Sequence, residues 1–314
     1  MFIREEIILN LKVVTHDGKF HPDEIFACVL LSWSHVGQLS FIRTRNQTSL
    51  ERYKKSDQYY VIDVGDEHDP SKLNFDHHQA TFNCVGENGD LLSSCGLMWK
   101  YLLEQPNFRE TWNVTPFIEK KVTEFTIMVD RHDNGVEYAP ELDFITMYNY
   151  ANFDSKVRFK QAFRAAENYF FQKLTSWRIH EEQEKKEDIA INNAVNGIIF
   201  SEEKLSVSEK INGTPNYLLV CERSKDEYVI VSLNQFYEVD FSVRCPAPAE
   251  WSGLHEKDIK KFDKSLIFSH KNRFLTIVKG TKEDALRVAN IIVENHLKTK
   301  KENALKFLEE MRNN

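Results

Sequence analysis

The spacing of hydrophobic and polar residues in the first half of the chain predicts strands that alternate with helices. Short apolar runs with the length of buried strands occur at residues 7–9 together with 11–14, 41–43, 59–64 and 73–75. Apolar residues at helical spacing predict helices at residues 24–34, 93–103 and 116–129. This alternation favours an α/β fold with a doubly wound, mainly parallel sheet. We place this domain at residues 1–154.

The pattern changes after residue 154. Residues 155–188 form a charged stretch without proline or glycine, which predicts one long helix that connects two domains. Runs rich in β-branched and aromatic residues then predict strands at residues 217–220, 228–233, 265–268 and 274–278. Helical spacing returns at residues 282–297, and we expect the tail to extend as a second helix. The sequence therefore predicts a smaller α/β domain at residues 189–314.

The composition is that of a globular protein. The chain has 314 residues, of which 41% are hydrophobic and 28% charged, and it is long enough for two domains. It has no run of the roughly 18 apolar residues that a membrane span requires. The five cysteines form no CxxC pair, and we expect them to be reduced thiols. The N-terminal residues lack the pattern of a secretory signal, so we expect a cytosolic or nuclear protein.

The formal net charge of −7 limits the kind of partner that the protein is expected to bind. A strongly acidic balance argues against a broad surface that coats nucleic acid. A polyanionic substrate would have to be held locally, either by metal ions or by a small basic patch.

Candidate chemistry is concentrated in the first domain. Seven of the eleven histidines lie between residues 16 and 132, several of them beside aspartates. Four short segments carry these residues, at positions 15–24, 62–65, 75–79 and 129–135. The first two follow directly on predicted strands, and ligands of open parallel sheets bind at the carboxyl ends of strands. We therefore expect the four segments to meet in one crevice.

The candidate ligands are imidazoles and carboxylates, with no thiolate among them. That set favours manganese, magnesium or cobalt over a structural zinc. Asp23, Asp63, Asp76 and Asp133 together bring about four negative charges, which two divalent cations would offset. Two such ions are the usual means of in-line displacement at phosphorus.

Most of these residues also have an ordinary structural interpretation. Asp23 suits a helix N-cap, His16 a buried histidine and Asp63 a turn, and each of these is favoured for the residue taken alone. Asp133 stands in a turn signature before Asn134-Gly135. Asp76-His77-His78 suits neither strand nor helix. The metal site is the better explanation of all the segments together, because every one of them would otherwise imitate a ligand set by accident.

Several longer motifs accompany these residues. They are His16-x-Gly18-x-Phe20-His21-x-Asp23-Glu24, Val61-Ile62-Asp63-Val64-Gly65, Phe75-Asp76-His77-His78-Gln79, Ser93-Ser94-x-Gly96-Leu97, Asp133-Asn134-Gly135, Phe241-x-x-Arg244, Pro248-x-x-Trp251-x-Gly253-Leu254 and Phe268-x-His270. Asp76-His77-His78 matches the signature of the Asp-His-His phosphoesterase superfamily. The whole set resembles its melanocyte-proliferating-gene family of metal-dependent hydrolases, which are regarded as 3′–5′ RNA exonucleases. The resemblance covers about residues 12–295.

The resemblance implies roles for individual residues. The implied metal ligands are His16, His21, Asp23, Asp63, Asp76, His77 and Asp133, with Asp130 as a neighbour. Asp63 would bridge two divalent cations, Mn²⁺ preferred or Mg²⁺, and take part in catalysis. His78 would lie beside the scissile phosphate as the acid. The first motif departs from the wider superfamily, which tends to have more aspartates where this chain has His16 and His21.

The second domain departs further from the pattern, since Ser269-His270-Lys271-Asn272 replaces the glycine-rich substrate loop of many relatives. We expect this domain to hold the substrate through Arg244, His270, Lys271 and Arg273.

The predicted function is a two-metal phosphodiester hydrolase, a 3′–5′ exoribonuclease acting on single-stranded RNA. One alternative is a phosphohydrolase of small molecules such as pyrophosphate, polyphosphate or short oligonucleotides, which the acidic net charge favours. Another is a regulator that binds metal or nucleotide without turnover. A third is a scaffold that assembles through an apolar stripe on the long helix, formed by Phe159, Ala162, Phe163, Ala166 and Phe170. We expect that stripe to pack against the protein's own domains instead.

Overall fold

A computed structural model describes residues 10–234 and 242–313. The predicted strand residues 7–9 and the motif residue Phe241 lie outside the described residues. The chain divides into two compact units, Met1–Ile179 and His180–Asn314, called here the first and second units. The long helix predicted between the domains forms and runs through the boundary between the units.

The first unit is an α/β layer structure. Its strands are β1 (Leu11–Thr15), β2 (Leu39–Arg43), β3 (Tyr59–Ile62), β4 (His68–Asp69) and β5 (Asn74–Phe75). Its helices are α1 (Pro22–Trp33), α2 (Gln47–Lys54), α3 (Ser94–Glu104), α4 (Phe108–Thr111), α5 (Pro116–Asp133), α6 (Asp143–Met147) and the first part of α7 (Ser155–Asn192). The strand order is β2-β1-β3-β5-β4, with β4 antiparallel to β5 and the other pairs parallel. The predicted mainly parallel sheet is confirmed.

The sheet is doubly wound because successive crossovers run in opposite directions. From β1 to β2 the chain moves one way across the sheet, and from β2 to β3 it returns past β1, so right-handed crossovers place α1 and α2 on opposite faces. Adjacent residues of β1 show both faces. Val13 is buried with α1, whereas Val14 is buried with Leu50 and Tyr53 of α2. The strand order therefore reverses beside β1, where ligands bind in folds of this class.

Several element boundaries differ from the sequence prediction, two of them beside the candidate site residues. Strand β3 ends at Ile62, two residues early, because Asp63 has φ +57° and leaves the extended conformation. Helix α5 runs on to Asp133, past the predicted end at residue 129. Helix α2 was not predicted, since its sequence is mostly polar. It begins at an N-cap, Asn46, whose side chain accepts a hydrogen bond of 2.9 Å from Ser49 N.

The apolar stripe of α7 is part of the first unit's core. All five of its residues are buried there, and Phe159, Ala162, Ala166 and Phe170 are fully enclosed. The expectation that the stripe packs against the chain's own domain is confirmed, and assembly through this stripe loses its basis.

The second unit is a mixed sheet covered by a long helix. Its strands are β6 (Ile198–Ser201), β7 (Leu218–Ser224), β8 (Glu227–Ser232), β9 (Leu266–Ser269) and β10 (Leu275–Lys279), in the order β6-β7-β8-β10-β9. Only the β6–β7 pair is parallel. The helices of this unit, besides the end of α7, are the short α8 (Glu209–Asn212) and α9 (Lys282–Asn313), so the tail continues one helix. Among the described residues, no helix combines the length and apolar character needed to cross a bilayer.

Candidate metal centre

His16 and Asp63 follow the two neighbouring parallel strands at which the sheet reverses its order. His16 comes after β1 and Asp63 after β3, and both side chains are buried. His16 Nε2 lies 3.2 Å from Asp63 Oδ2, while Nδ1 lies 3.0 Å from the carbonyl oxygen of Asp17. Because a carbonyl only accepts hydrogen bonds, Nδ1 carries a proton, so Nε2 is the ring nitrogen that is left for a cation. That nitrogen faces the carboxylate, as two ligands of one cation would.

The first turn of α1 supplies a carboxylate that the ordinary N-cap interpretation does not explain. The N-cap is His21, and Asp23 lies one residue inside the helix after Pro22. Asp23 is 0% exposed, and neither of its oxygens has a hydrogen-bond partner. The helix dipole favours a negative charge here, but a buried carboxylate without hydrogen bonds also requires a cation nearby.

His77 brings the remaining carboxylates together. Its Nε2 lies 3.3 Å from Asp63 Oδ1, 3.4 Å from Asp133 Oδ2 and 3.7 Å from Asp23 Oδ2. His77 follows β5, which pairs with β3, and Asp133 is the last residue of α5. Four separate segments of the chain therefore meet at this imidazole.

Ligand atoms in this region lie close enough to share cations. Three overlapping groups have their ligand atoms within 4.8 Å of one another, namely His16, His21 and Asp63; Asp63, His77 and His78; and His21, Asp23 and Asp133. Together they contain six of the seven predicted ligands. The orphaned oxygens of Asp23 and Asp63 fit the presence of cations, and the donors are all nitrogen or oxygen. The structure thus has a candidate metal site of histidine and acidic residues.

Asp76, the seventh predicted ligand, is turned toward other partners. Its Oδ2 accepts a hydrogen bond of 2.7 Å from Asp66 N, and its Oδ1 lies 2.7 Å from His78 Nδ1. It belongs to none of the three ligand groups. The carboxylate instead fixes the ring of His78, which is 54% exposed and thus open to a bound molecule.

The carboxylates of the cluster repel one another. Burial, followed by Asp63 and Asp133, raises the pKa of Asp23 well above its usual value, and burial likewise raises the pKa of Asp133. Burial would also raise the pKa of Asp63, but the neighbouring imidazoles of His16 and His77 outweigh burial and lower the pKa. The hydrogen bond with Asp76 raises the pKa of His78 to about 9. Positive charge placed among these groups would relieve the repulsion.

Glu24 and Arg43 adjoin the cluster and were missed as functional candidates. Glu24 is fully buried, and its Oε2 contacts His16 Nε2. Arg43, at the end of β2, places Nη2 3.6 Å from Glu24 Oε1, and its guanidinium lies 4.6 Å from the centre of the Phe159 ring. Arg43 thus compensates a carboxylate that contacts the same ring nitrogen of His16 as Asp63 does. The signal for Glu24 was present in the first motif, but no local pattern marked Arg43.

Asp130 lies one turn before Asp133, but its hydrogen bonds are to the N-terminus of α3. Its Oδ1 accepts hydrogen bonds from Ser93 N at 3.0 Å, Ser93 Oγ at 2.6 Å and Gly96 N at 3.0 Å. Burial raises its pKa to about 6. The next residue of α3, Ser94, donates from Oγ to Asp63 Oδ1 at 3.2 Å. Asp130 therefore positions the helix that steadies Asp63.

We expect Gly96→Ala to destabilise the first unit. An added Cβ would lie 2.7 Å from Asp130 Oδ1 and closer still to Oδ2, in a buried position. Overpacking of this kind lowers the free energy of unfolding by about 1–3 kcal/mol. Urea denaturation followed by far-UV circular dichroism measures it. Lys100→Ala, on the exposed side of the same helix, is the control and should change this free energy by less than about 0.5 kcal/mol. Equal stability of Gly96→Ala and the parent would contradict this packing.

The predicted substrate contacts lie in the second unit. His270, Lys271 and Arg273 belong to the hairpin between β9 and β10, and Lys271 is exposed. Arg244 is engaged within the unit, since its guanidinium donates to the backbone carbonyls of Asn212, Thr214 and Asn216. Substrate binding by these four residues stays a prediction.

Comparison with known proteins identifies the family to which the chain belongs. A family model named MYG1_exonuc and described as "Uncharacterised protein family (UPF0160)" matches residues 12–293. The MYG1 protein of Chlamydia muridarum is 26% identical over 302 residues, covering 90% of this chain and 96% of the relative. The MYG1 exonuclease of Mus musculus is 27% identical over 331 residues, covering 91% of this chain and 86% of the relative. A solved pGpG-specific phosphodiesterase, PggH from Vibrio cholerae, aligns with 92% of this chain and 99% of its own at 12% identity and a TM-score of 0.31.

The family match confirms the resemblance that the motifs indicated, and it extends from β1 into α9. The chain therefore belongs to the MYG1 exonuclease family.

Proposed function

We propose that this chain is a phosphodiester hydrolase that works with two divalent cations and removes nucleotides from the 3′ end of single-stranded RNA. The observation that carries the proposal is the placement of Asp63. Its Oδ2 lies 3.2 Å from His16 Nε2, and its Oδ1 lies 3.3 Å from His77 Nε2. A carboxylate whose oxygens face two different imidazoles is suited to bridge a pair of cations.

The surrounding ligands divide between the two sides of Asp63. On the His16 side we place His21, and on the His77 side we place Asp23 and Asp133. Mixed imidazole and carboxylate donors suit Mn²⁺, with Mg²⁺ as the alternative. Asp23, Asp63 and Asp133 bring about three negative charges to this centre, so one divalent cation would leave a negative charge and a second would offset it.

Two cations bound by these residues would lower the pKa of the attacking water and neutralise charge on the phosphoryl oxygens. The chain's own contribution to the leaving group is His78. Its Nδ1 is held by Asp76, so the other ring nitrogen is the one available to give a proton to the leaving oxygen. Asp76 thus acts as a positioning residue for His78 in this proposal, and not as a metal ligand.

The choice of nucleic acid as substrate is supported by the family. The relative from Mus musculus is named an exonuclease. RNA and the 3′–5′ direction follow from the motif resemblance. The five cysteines are free thiols in the described residues, which suits a reducing compartment such as cytosol or nucleus. The acidic net charge of −7 favours one competing candidate, hydrolysis of small phosphoesters or pyrophosphate.

An assay with end-labelled strands tests the proposal. We expect 5′-labelled single-stranded RNA to shorten progressively from its 3′ end with Mn²⁺, more slowly with Mg²⁺, and not at all with a chelator. DNA of the same sequence and inorganic pyrophosphate are run in parallel. Release of phosphate from pyrophosphate without shortening of either strand would favour the small-molecule candidate. No turnover of any substrate with Mn²⁺, Mg²⁺ or Co²⁺ would contradict the proposal.

A further inference from the structure

The end of α6 and the short segment that follows it expose large apolar side chains in the first unit. Met147 is 68% exposed, Tyr150 is 76% exposed and Phe153 is 55% exposed. The aromatic residues of α7 that follow closely, such as Phe159, are instead fully buried. Aromatic side chains so open to solvent, close together in sequence, need an explanation other than packing.

This segment is fastened to the loop that carries the first metal ligands. The Asn149 side chain accepts a hydrogen bond of 3.1 Å from Phe20 N and donates one of 2.8 Å to Phe20 O. Phe20 lies directly before His21 and is itself buried against Phe159. The Asn149 side chain thus pairs with both backbone groups of Phe20. Its neighbour in sequence, Tyr150, therefore has a fixed place beside the loop that carries His16 and His21.

Positive charge lies on the same surface. Lys19 Nζ is 5.3 Å from the centre of the Tyr150 ring. Arg158, from the first turns of α7, donates from Nη1 to the carbonyl oxygen of Asn149 at 2.6 Å. The nearby acid Asp154 is already used, since its Oδ1 accepts hydrogen bonds from Lys156 N and Val157 N at the start of α7. The surface therefore combines an open aromatic face with cations.

We propose that Lys19, Tyr150 and Phe153 form a platform on which an unpaired nucleobase of the substrate strand stacks while its phosphate lies at the metal centre. This inference rests on the proposed function and narrows it. Bases of any identity stack on aromatic rings, and a neighbouring lysine pairs with the backbone phosphate. A platform of this kind serves a single strand, because a base in a duplex has both faces covered. Pyrophosphate and polyphosphate have no base, so the aromatic rings of the platform would give them no stacking energy.

Binding of intact and abasic strands to the full-length protein tests the platform. The probes are two fluorescein-labelled single-stranded 8-mer RNAs, one of them with abasic residues at its last two 3′ positions. Fluorescence anisotropy is measured with Ca²⁺ in place of Mn²⁺. We expect the parent protein to bind the intact strand about tenfold or more tightly than the abasic one, as loss of base stacking implies. Tyr150→Ala should lose most of this preference, because only the Phe153 ring then remains for stacking, and Tyr150→Phe should behave as the parent.

Tyr138→Ala is the matched control. Tyr138 is 67% exposed in the same unit, but its hydroxyl pairs with Asp143 and it lies outside the platform. This variant should keep the parent's preference for the intact strand. The platform is wrong if the parent binds no RNA, if it does not distinguish the strands, or if Tyr150→Ala distinguishes them equally well. A parent that prefers the intact strand but hydrolyses nothing with Mn²⁺ would keep the platform and overturn the proposed function alone.

Discussion

Asp63→Asn is expected to lower kcat for hydrolysis of single-stranded RNA by about a thousandfold or more. The substitution keeps the shape of the side chain but replaces one charged oxygen by an amide nitrogen. In the proposed site, the carboxylate that faces both His16 and His77 would then no longer bridge two cations. Loss of several kcal/mol of charge stabilisation in the transition state corresponds to that factor.

The fold should survive this change for a conformational reason. Asp63 has φ +57°, in the left-handed region, where asparagine is among the most tolerated residues other than glycine. Ser94 Oγ keeps an oxygen to which it can donate. The removed charge is also one of the acids that repel each other in the cluster. We therefore expect the unfolding transition to stay cooperative in the variant.

The measurements are kcat on labelled RNA and Mn²⁺ binding by isothermal titration calorimetry. Asp66→Asn is a close control, because Asp66 lies in the same loop at φ +51° but is exposed. Its side chain joins no ligand group. Asp66→Asn should retain the parent's kcat within about threefold and its number of bound ions. Retention of full activity and of both ions by Asp63→Asn would show that Asp63 is not the bridge.

The sequence was sufficient to predict a mainly parallel sheet and the convergence of most of the candidate ligand side chains. The length and apolar character of two runs predicted β1 and β3. His16 and Asp63 became candidates because they follow these strands, and a parallel sheet places the residues that follow its strands at one edge. The apolar stripe of α7 could also be predicted, since the spacing of its residues matched one face of a helix. These predictions depend on local pattern together with a general rule of topology.

Other features depend on contacts between distant segments and had no local signal. The pairing of Arg43 with Glu24 requires that β2 lies beside β1 and that α1 begins above both. The orientation of Asp76 depends on the backbone of Asp66, ten residues away. Asp130 carries the residue type of a ligand, but its partners are Ser93 and the start of α3. Residue type selects the candidates, whereas only the fold decides which of them face one another.

His78→Ala is expected to lower kcat on RNA by about 10²–10⁴-fold while Mn²⁺ affinity stays near that of the parent. His78 is half exposed, and Asp76 holds its Nδ1 at 2.7 Å, so the ring is oriented for contact with a bound molecule. The hydrogen bond to Asp76 raises the pKa of His78 to about 9, which keeps the ring protonated at neutral pH among the protein's own groups. A residue of this kind is suited to the proposed role of protonating a leaving oxygen.

Substrates with different leaving groups distinguish a role of His78 as the acid from a role in metal binding. A p-nitrophenolate leaves without much help from an acid, whereas a ribose oxygen needs a proton. His78→Ala should therefore lose far less activity on thymidine 5′-p-nitrophenyl phosphate than on RNA, and Asp76→Asn should show the same selective loss to a smaller extent. His180→Ala, which removes an exposed imidazole on α7, is the control and should leave both rates unchanged. Equal losses on the two substrates, together with one fewer bound Mn²⁺, would make His78 a ligand and not the acid. The roles of the two adjacent histidines would then have to be assigned together, because His77 and His78 both face Asp63 Oδ1.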